Sequence, residues 1–240
     1  KAFTYAINRQ EMLESFFNGR GTIISGPFAP GSWAYNLDIK PLSYDPAKAK
    51  ELLAEAGFKD SNGDGIVEKD GKPFSVVMKV PIEKESEAVK RVVLAFQNYL
   101  KNVGVDVKVE FREWQAWKED VFAEGNFDIV FASWVFDDSA DISSLFHSGE
   151  IGQWKNNFSG YSNPDVDALI AESKLTLDFE KRRTINQKLH AMLADENPYT
   201  FLWTLTNYAG VQKKVRKVEI HPYKFFSFAD EWFIPEADQK

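Results

Sequence analysis

Hydrophobic and polar positions follow a strand–helix–strand–helix–strand order through the middle of the chain. Apolar residues at every second position predict strands at 75–80 and 105–111, and an apolar stripe at helical spacing predicts a helix over 85–103. A short helix at 114–123 comes next, and the almost wholly apolar run 127–134 predicts a third strand, buried on both faces. This order is typical of an α/β fold in which helices pack on a mainly parallel sheet.

Helix-capping residues mark the other elements. Asp45 is placed to accept hydrogen bonds from the first free N–H groups of a helix that begins with Pro46 and ends before Gly57. A helical pattern also starts at the first residue, Lys1, which leads us to expect that the sequence begins inside a longer chain. Further helices are predicted at 1–17, 164–175 and 180–195, and further strands at 199–204 and 215–221.

Composition and charge narrow the class of protein. The formal net charge is −7 and no basic stripe is present, so nucleic acid is not an expected partner. The lack of cysteine excludes thiolate zinc sites, disulfides and thiol nucleophiles. No apolar run reaches the roughly 18 residues that a membrane-spanning helix needs. The 7 Trp and 20 Phe are numerous enough to fill a core and to line a ligand pocket.

A possible metal motif follows the capped helix. Asp60, Asn62 and Asp64 occupy the first three ligand positions of a calcium loop, but Gly71 stands where the bidentate Glu should be. Glu68 falls at the position that often binds only through water. We therefore interpret the segment as a tight turn between helix and strand, and we predict no metal site and no cofactor.

The strongest candidate site is the end of the third strand. Trp134 is followed there by Phe136, Asp137 and Asp138, and Trp114 opens the preceding helix. Ligands collect outside the carboxyl ends of parallel strands, and an aromatic wall with carboxylates suits a cationic or amine-bearing solute. The alternative is that Trp134 belongs to the core and the aspartates are solvated. The pattern alone supports both interpretations equally.

A hydrolase acting on sugars or peptides is the alternative from another functional class. Asp137, Asp138 and Asp141 could in principle supply a glycosidase carboxylate pair. Carboxylates that cluster after a strand more often cap the next helix or bind a cation, however. The sequence also has no G-x-S-x-G nucleophile elbow and no Gly-rich phosphate loop. We therefore predict that the protein is not an enzyme.

Six stretches together resemble the family 5 extracellular solute-binding proteins, the peptide, dipeptide and nickel type of ABC-importer binding protein. They are AFTYAINRQEMLESFFNGRG, GPFAPGSWAY, YDPAKAKELLAEAGF, EWQAWKEDVFAEGNFDIVFASWVFD, FSGYSNPDVDALIAES and KRRTINQKLHAMLADENPYTFLW. The resemblance runs from end to end of the chain but matches only the later part of the longer, two-lobed family members.

The resemblance implies one lobe of a two-lobed periplasmic-binding-protein-like fold. Residues 1–208 would form the α/β ligand-binding lobe, and 209–240 would return to the other lobe of the full-length protein. The implied function is capture of oligopeptides or similar amine-bearing polar solutes and their delivery to ABC permease subunits. The implied location is periplasmic or extracellular, with membrane association only through the transporter or a lipid anchor on the missing N-terminus.

The resemblance also assigns residues to the site. In peptide-binding relatives the Asp of a Trp-x-x-Asp motif holds the peptide ammonium, and Asp137 occupies that position here. Trp134 and Trp114 would line side-chain pockets. The cation that should hold the ligand carboxylate has no secure match, and Lys84 is the nearest candidate. Family members also bind sugars, metals and haem, and the same lobe can serve a sensory or regulatory module, so the ligand and these alternatives stay open.

Overall fold

The structure, a computed structural model, describes residues 1–82, 87–135, 137–221 and 226–239. Phe136 and Lys84, which the sequence analysis singled out, lie outside the described residues. The helices are α1 (Ala2–Ala6), α2 (Arg9–Phe17), α3 (Pro46–Glu55), α4 (Glu87–Lys101), α5 (Trp114–Lys118), α6 (Ser143–Phe146), α7 (Pro164–Leu175) and α8 (Phe179–Glu196). The strands are β1 (Gly21–Ile23), β2 (Glu68–Lys69), β3 (Lys72–Pro73), β4 (Ser75–Pro81), β5 (Asp106–Arg112), β6 (Ile129–Val130) and β7 (Trp203–Leu205).

A three-stranded parallel sheet in the order β5-β4-β6 forms the centre of the fold. Val76 lies opposite Val107 in the β4–β5 pair, and Met78 lies opposite Ile129 in the β4–β6 pair. Helix α4 connects β4 to β5, whereas α5 and a π-helical turn (Glu119–Glu124) connect β5 to β6. The predicted parallel α/β order is therefore confirmed.

The third strand is shorter and more exposed than predicted. Only Ile129 and Val130 form β6, and both are half-buried, so the prediction of a strand over 127–134 buried on both faces is wrong. One cause lies just before the strand. The Asp128 carboxylate accepts the Val77 N–H at 2.8 Å, so a side chain takes a backbone donor that strand pairing would otherwise use. In addition, β6 is the outer strand of this sheet and pairs on one side only.

The helix caps read from the sequence are present. Asp45 accepts a hydrogen bond from Lys48 N at 2.9 Å, Pro46 begins α3, and Gly57 has φ +92° just beyond its end. The predicted helix over 1–17 is instead divided into α1 and α2, because the Asn8 side chain accepts a hydrogen bond from Glu11 N and starts a new helix there. The helices predicted at 164–175 and 180–195 are confirmed as α7 and α8.

Two groups of buried apolar residues hold the fold together. The first, which we call the sheet core, lies between the three-stranded sheet and helices α1 to α4. The second, which we call the helical core, lies among α6, α7, α8 and the loop that contains Phe28 and Tyr35. Helices α7 and α8 pack against each other in this second core.

The two strands predicted for the last part of the chain are not found where they were expected. The strand expected at 199–204 is displaced to β7, which pairs antiparallel with β1. The strand expected at 215–221 is wrong, because among the described residues this segment has only the isolated bridge between Arg216 and Phe233. An alternating pattern makes a strand only where a neighbouring strand accepts its hydrogen bonds. Within the described ranges, no helix is long and apolar enough to cross a membrane.

Candidate functional site

A continuous run of aromatic rings, which we call the aromatic ladder, begins where β5 ends. Its members, in order of contact, are Trp114, Trp117, Phe122, Phe158 and Trp134. The centroids of successive rings are 5.2, 5.8, 5.5 and 5.9 Å apart. The first and last pairs are stacked, and the two middle pairs meet edge to face, both of which are favourable arrangements of aromatic rings. The ladder thus joins the two tryptophans that the sequence analysis assigned to the site.

Helix α5 buries one of its tryptophans and exposes the other. Trp117 is 3% exposed, and its indole N–H donates to the backbone oxygen of Lys79 at 3.4 Å. Trp114 is 50% exposed and stacks on Trp117 with an interplanar angle of 12°. The Nζ atom of Lys118 lies 5.7 Å from the centroid of the Trp114 ring. This exposed ring therefore already attracts a cation, as a ring quadrupole does.

A buried ionic network lies beneath α5. The Nζ atom of Lys79 lies 2.6 Å from Glu110 Oε2 and 3.5 Å from Asp120 Oδ2, and Arg112 Nε donates to the same Asp120 oxygen at 2.8 Å. The hydrogen bond with Glu110 raises the pKa of Lys79 and outweighs the effect of burial, so the ammonium stays charged. Because Asp120 belongs to the π-helical turn, the network ties this turn to β4 and β5 and so fixes the base of the aromatic ladder.

Of the five ladder residues, Phe122 and Phe158 were not predicted to lie at the site, and Phe158 is the one that contacts Trp134. It follows Asn157, which is 1% exposed and whose Nδ2 donates to the backbone oxygens of His147 and Tyr161 at 3.1 and 2.8 Å. These bonds fix the turn and point the Phe158 ring at Trp134. An Asn next to an aromatic residue in a Gly- and Asn-rich turn was the available signal, but such a turn has no periodicity to show what it contacts.

The residues after Trp134 form a loop that we call the acidic loop, residues 137–142. Asp137 and Asp138 are exposed. Asp137 Oδ1 accepts the Ser139 N–H at 2.8 Å, and Asp141 Oδ1 accepts the Ser143 N–H at 2.9 Å. These carboxylates therefore shape turns as well as contributing negative charge.

The third carboxylate of the loop is also paired. Asp141 Oδ2 lies 3.2 Å from Lys174 Nζ. Burial alone would raise the pKa of Asp141, but the hydrogen bonds with Ser143 and the pairing with Lys174 outweigh it and lower the pKa. A glycosidase general acid needs a raised pKa, so Asp141 is poorly suited to that role.

The structure connects two of the predicted site residues through three intervening rings. Trp114 and Trp134 share one ladder, and the acidic loop leads directly away from Trp134. Trp134 is half-buried and packs against the helical core, and its contact with a ligand stays a prediction. Phe136 lies outside the described residues.

The turn after α3 brings three carboxylates together at a distance from this site. One oxygen from each of Asp60, Asp64 and Glu68 lies within 4.8 Å of the others. Asp60 accepts the N–H groups of Gly63 and Gly65 at 2.7 and 3.0 Å, which is the bonding expected of the predicted tight turn. The turn prediction is confirmed, and Glu68 lies beside the two aspartates in this turn.

Comparison with known proteins identifies the family. The family described as bacterial extracellular solute-binding proteins, family 5 Middle, matches residues 1–157. Oligopeptide-binding protein AppA of Bacillus subtilis is 30% identical over 98% of this chain and 43% of its own length. Di/tripeptide-binding protein 1 of Pseudomonas aeruginosa is 26% identical over 95% of this chain and 41% of its own length.

Solved structures agree with these sequence relationships. The structure of AppA from Bacillus subtilis in complex with a nonapeptide superposes with a TM-score of 0.84, over 98% of this chain and 47% of that one. The chain spans less than half the length of these relatives. The match over residues 1–157 covers more than half of the 240 residues. The chain therefore belongs to the bacterial extracellular solute-binding proteins of family 5.

Proposed function

We propose that this chain contributes a ligand-binding lobe to the substrate-binding component of an ABC importer. The component captures oligopeptides or similar amine-bearing polar solutes in the periplasm or outside the cell and delivers them to the permease subunits. The relatives reported above are oligopeptide- and di/tripeptide-binding proteins, which supports this ligand class. A second lobe, supplied by the rest of a full-length protein, closes over the ligand by a hinge motion.

The observation that carries the proposal is that the acidic loop begins three residues after Trp134, the last ring of the aromatic ladder. Asp137 pairs with the ligand ammonium, and Asp138 adds negative charge nearby. Trp134 and Trp114 cover the ligand's apolar side chains or present ring faces to its cationic groups. This division of labour suits a site that accepts ligands of varied sequence, because only the charged end is recognised by a specific pair.

We propose further that residues 1–208 form this lobe and that residues 209–240 belong to the other one. The described part of the last segment supports this division. Several of its apolar side chains are exposed, among them Val211, Ile220 and Phe233 at 40%, 37% and 48%. An apolar surface of this kind is suited to packing against another part of a protein.

Native mass spectrometry of the full-length protein, purified from its host, tests the ligand assignment. The bound ligand is released by denaturation and identified by its mass and fragmentation. A mixture of peptides with free amino termini is the expected result. A sugar, a metal chelate or haem would overturn the peptide assignment and would turn attention to Trp114 and Trp134 as a stacking platform.

A further inference from the structure

The inner side of the acidic loop is anchored in the helical core. Ala140 and Ile142 are 6% and 2% exposed there, whereas the aspartates on either side of them face outward. Ala140 has φ +53°, a left-handed conformation that a residue with a side chain adopts only where its surroundings hold it. Contacts from outside the loop therefore add to its own hydrogen bonds in fixing its path.

One of these contacts fixes a single peptide plane. The indole N–H of Trp33 donates to the backbone oxygen of Asp138 at 2.9 Å. The same peptide unit carries the N–H of Ser139, which donates to Asp137 Oδ1 at 2.8 Å. A trans peptide unit is planar, and its C=O and N–H point in opposite directions. Holding the oxygen of this unit therefore fixes the direction of the N–H that orients the Asp137 carboxylate.

A second contact holds the next peptide unit. Arg182, in the first turn of α8, donates from Nη2 to the backbone oxygen of Ser139 at 2.8 Å. Its guanidinium carbon also lies 5.2 Å from the centroid of the Trp33 ring, which places the two side chains against each other. Phe179 contacts the Trp33 ring at a centroid distance of 5.3 Å and completes the support.

We propose that Trp33 and Arg182 are positioning residues that set the direction of the Asp137 carboxylate toward the ligand ammonium. This inference rests on the proposed function, because it assigns a purpose to the carboxylate of that site. Neither residue contacts the ligand in this proposal. They act through the Asp138–Ser139 peptide unit and the one that follows it, so their effect on binding requires the Asp137 side chain.

A double-mutant cycle on the full-length protein tests the proposal. The variants are Trp33→Phe, which removes the indole N–H and keeps a ring, Asp137→Ala, and the combination of the two. The probe is a library of synthetic tetrapeptides with free amino termini, alongside its N-acetylated counterpart. Trp33→Phe should raise the apparent dissociation constant for the free-amine library about three- to tenfold, the effect of one lost hydrogen bond. It should have no further effect once Asp137 is alanine, and none on the acetylated library.

Controls separate positioning from general loss of structure. Trp154→Phe changes a tryptophan that is 60% exposed and should leave the dissociation constant unchanged. Arg182→Gln should weaken binding of the free-amine library, whereas Arg183→Gln, on the next and exposed residue of the same helix, should not. Arg182→Gln also serves as the independent test where Trp33→Phe fails to fold.

The outcomes distinguish this proposal from the proposed function. The positioning role alone would be overturned if the wild type binds the free-amine library and both Trp33→Phe and Arg182→Gln bind it with the same dissociation constant. The positioning role would also be overturned if the double variant raises the dissociation constant by the product of the two single-variant factors, because the two residues would then act independently. A wild-type protein that binds no peptide would overturn the proposed function and this inference with it.

Discussion

Trp134 stacks on Phe158, with ring centroids 5.9 Å apart and ring planes 25° from parallel. Phe158 also meets Phe122 and Phe127 edge to face, at centroid distances of 5.5 and 6.0 Å. Trp134 also packs against the helical core. Phe158 therefore joins the sheet, through the ladder, to the helical core and supports the tryptophan from which the acidic loop departs.

Replacement of Phe158 should disturb both stability and binding. Phe158→Leu keeps an apolar side chain but removes the stacked and edge-to-face pairs, which are worth about 0.5–1.5 kcal/mol each beyond the burial of area. We expect the free energy of unfolding to fall by about 1.5–4.5 kcal/mol, as seen by urea denaturation. The dissociation constant for peptide should rise in the same variant. An unchanged dissociation constant would mean that ligand binding does not depend on the support that Phe158 gives to Trp134.

Asp137→Asn tests the ion pair at the centre of the proposed site. The amide keeps the size of the side chain and its bond to Ser139 N–H but loses the charge that pairs with an ammonium. If closure of the lobes buries the pair, the loss should cost about 2–5 kcal/mol of binding free energy, measured by isothermal titration of peptide.

The matched control for this charge removal is Asp70→Asn in the turn between β2 and β3. Asp70 is exposed and has φ +53°, a conformation that Asn also tolerates. This variant should bind peptide as the wild type does. Equal affinity of the Asp137 and Asp70 variants would remove Asp137 from the site.

Neutralising a carboxylate of the ionic network should destabilise the protein far more at the buried Asp120 than at the half-exposed Glu110. Asp120 is 5% exposed, and Asp120→Asn leaves Lys79 and Arg112 facing each other with one carboxylate fewer. Breaking a buried pair in this way costs about 3–5 kcal/mol. Glu110 has a side chain that is 46% exposed, so Glu110→Gln should cost about 1 kcal/mol or less. Chemical denaturation of both variants measures the difference, and equal losses would show that Asp120 does not anchor the network.

The sequence was sufficient to predict the elements whose ends are fixed by hydrogen bonds between neighbouring residues. The cap at Asp45 and the start at Pro46 define α3 within the chain itself, and the same holds for α7 after Asn163. The parallel order followed from apolar periodicity and from the rule that helices connect parallel strands. These features depend on residues close to one another in the sequence.

The errors and omissions involve partners that lie far away in the sequence. The strand predicted at 127–134 begins later than expected, because the Asp128 carboxylate accepts the N–H of Val77, which lies in another strand. The ladder could not be predicted, because Phe158 contacts Trp134 from a turn that has no periodic sequence pattern. The contact of Trp33 with Asp138 joins residues 105 positions apart. Spacing in one sequence contains no signal for such pairs.

His190 should make the fold sensitive to acid. It is fully buried in the helical core, where Nε2 lies 2.8 Å from Ser25 Oγ, and this hydroxyl lies 2.9 Å from that of Tyr35. Nδ1 is buried and has no hydrogen-bond partner among the described residues. Burial lowers the pKa of His190 from 6.5 to about 4, because the charged form would lose its hydration.

The direction of the pH effect follows from this lowered pKa. Below pH 6.5 the unfolded chain binds a proton at this residue and the folded chain does not, so stability falls as the pH drops from 6.5 towards 4. Complete passage through this window costs about 3 kcal/mol for a pKa difference of this size. His190→Leu should lose stability at pH 7 through the lost hydrogen bond, yet it should lack this part of the pH dependence. Urea denaturation of the wild type and of His190→Leu at pH 7, 5.5 and 4.5 measures this difference in pH dependence. An equal loss of unfolding free energy in the two proteins would show that the pKa of His190 is not lowered by the fold.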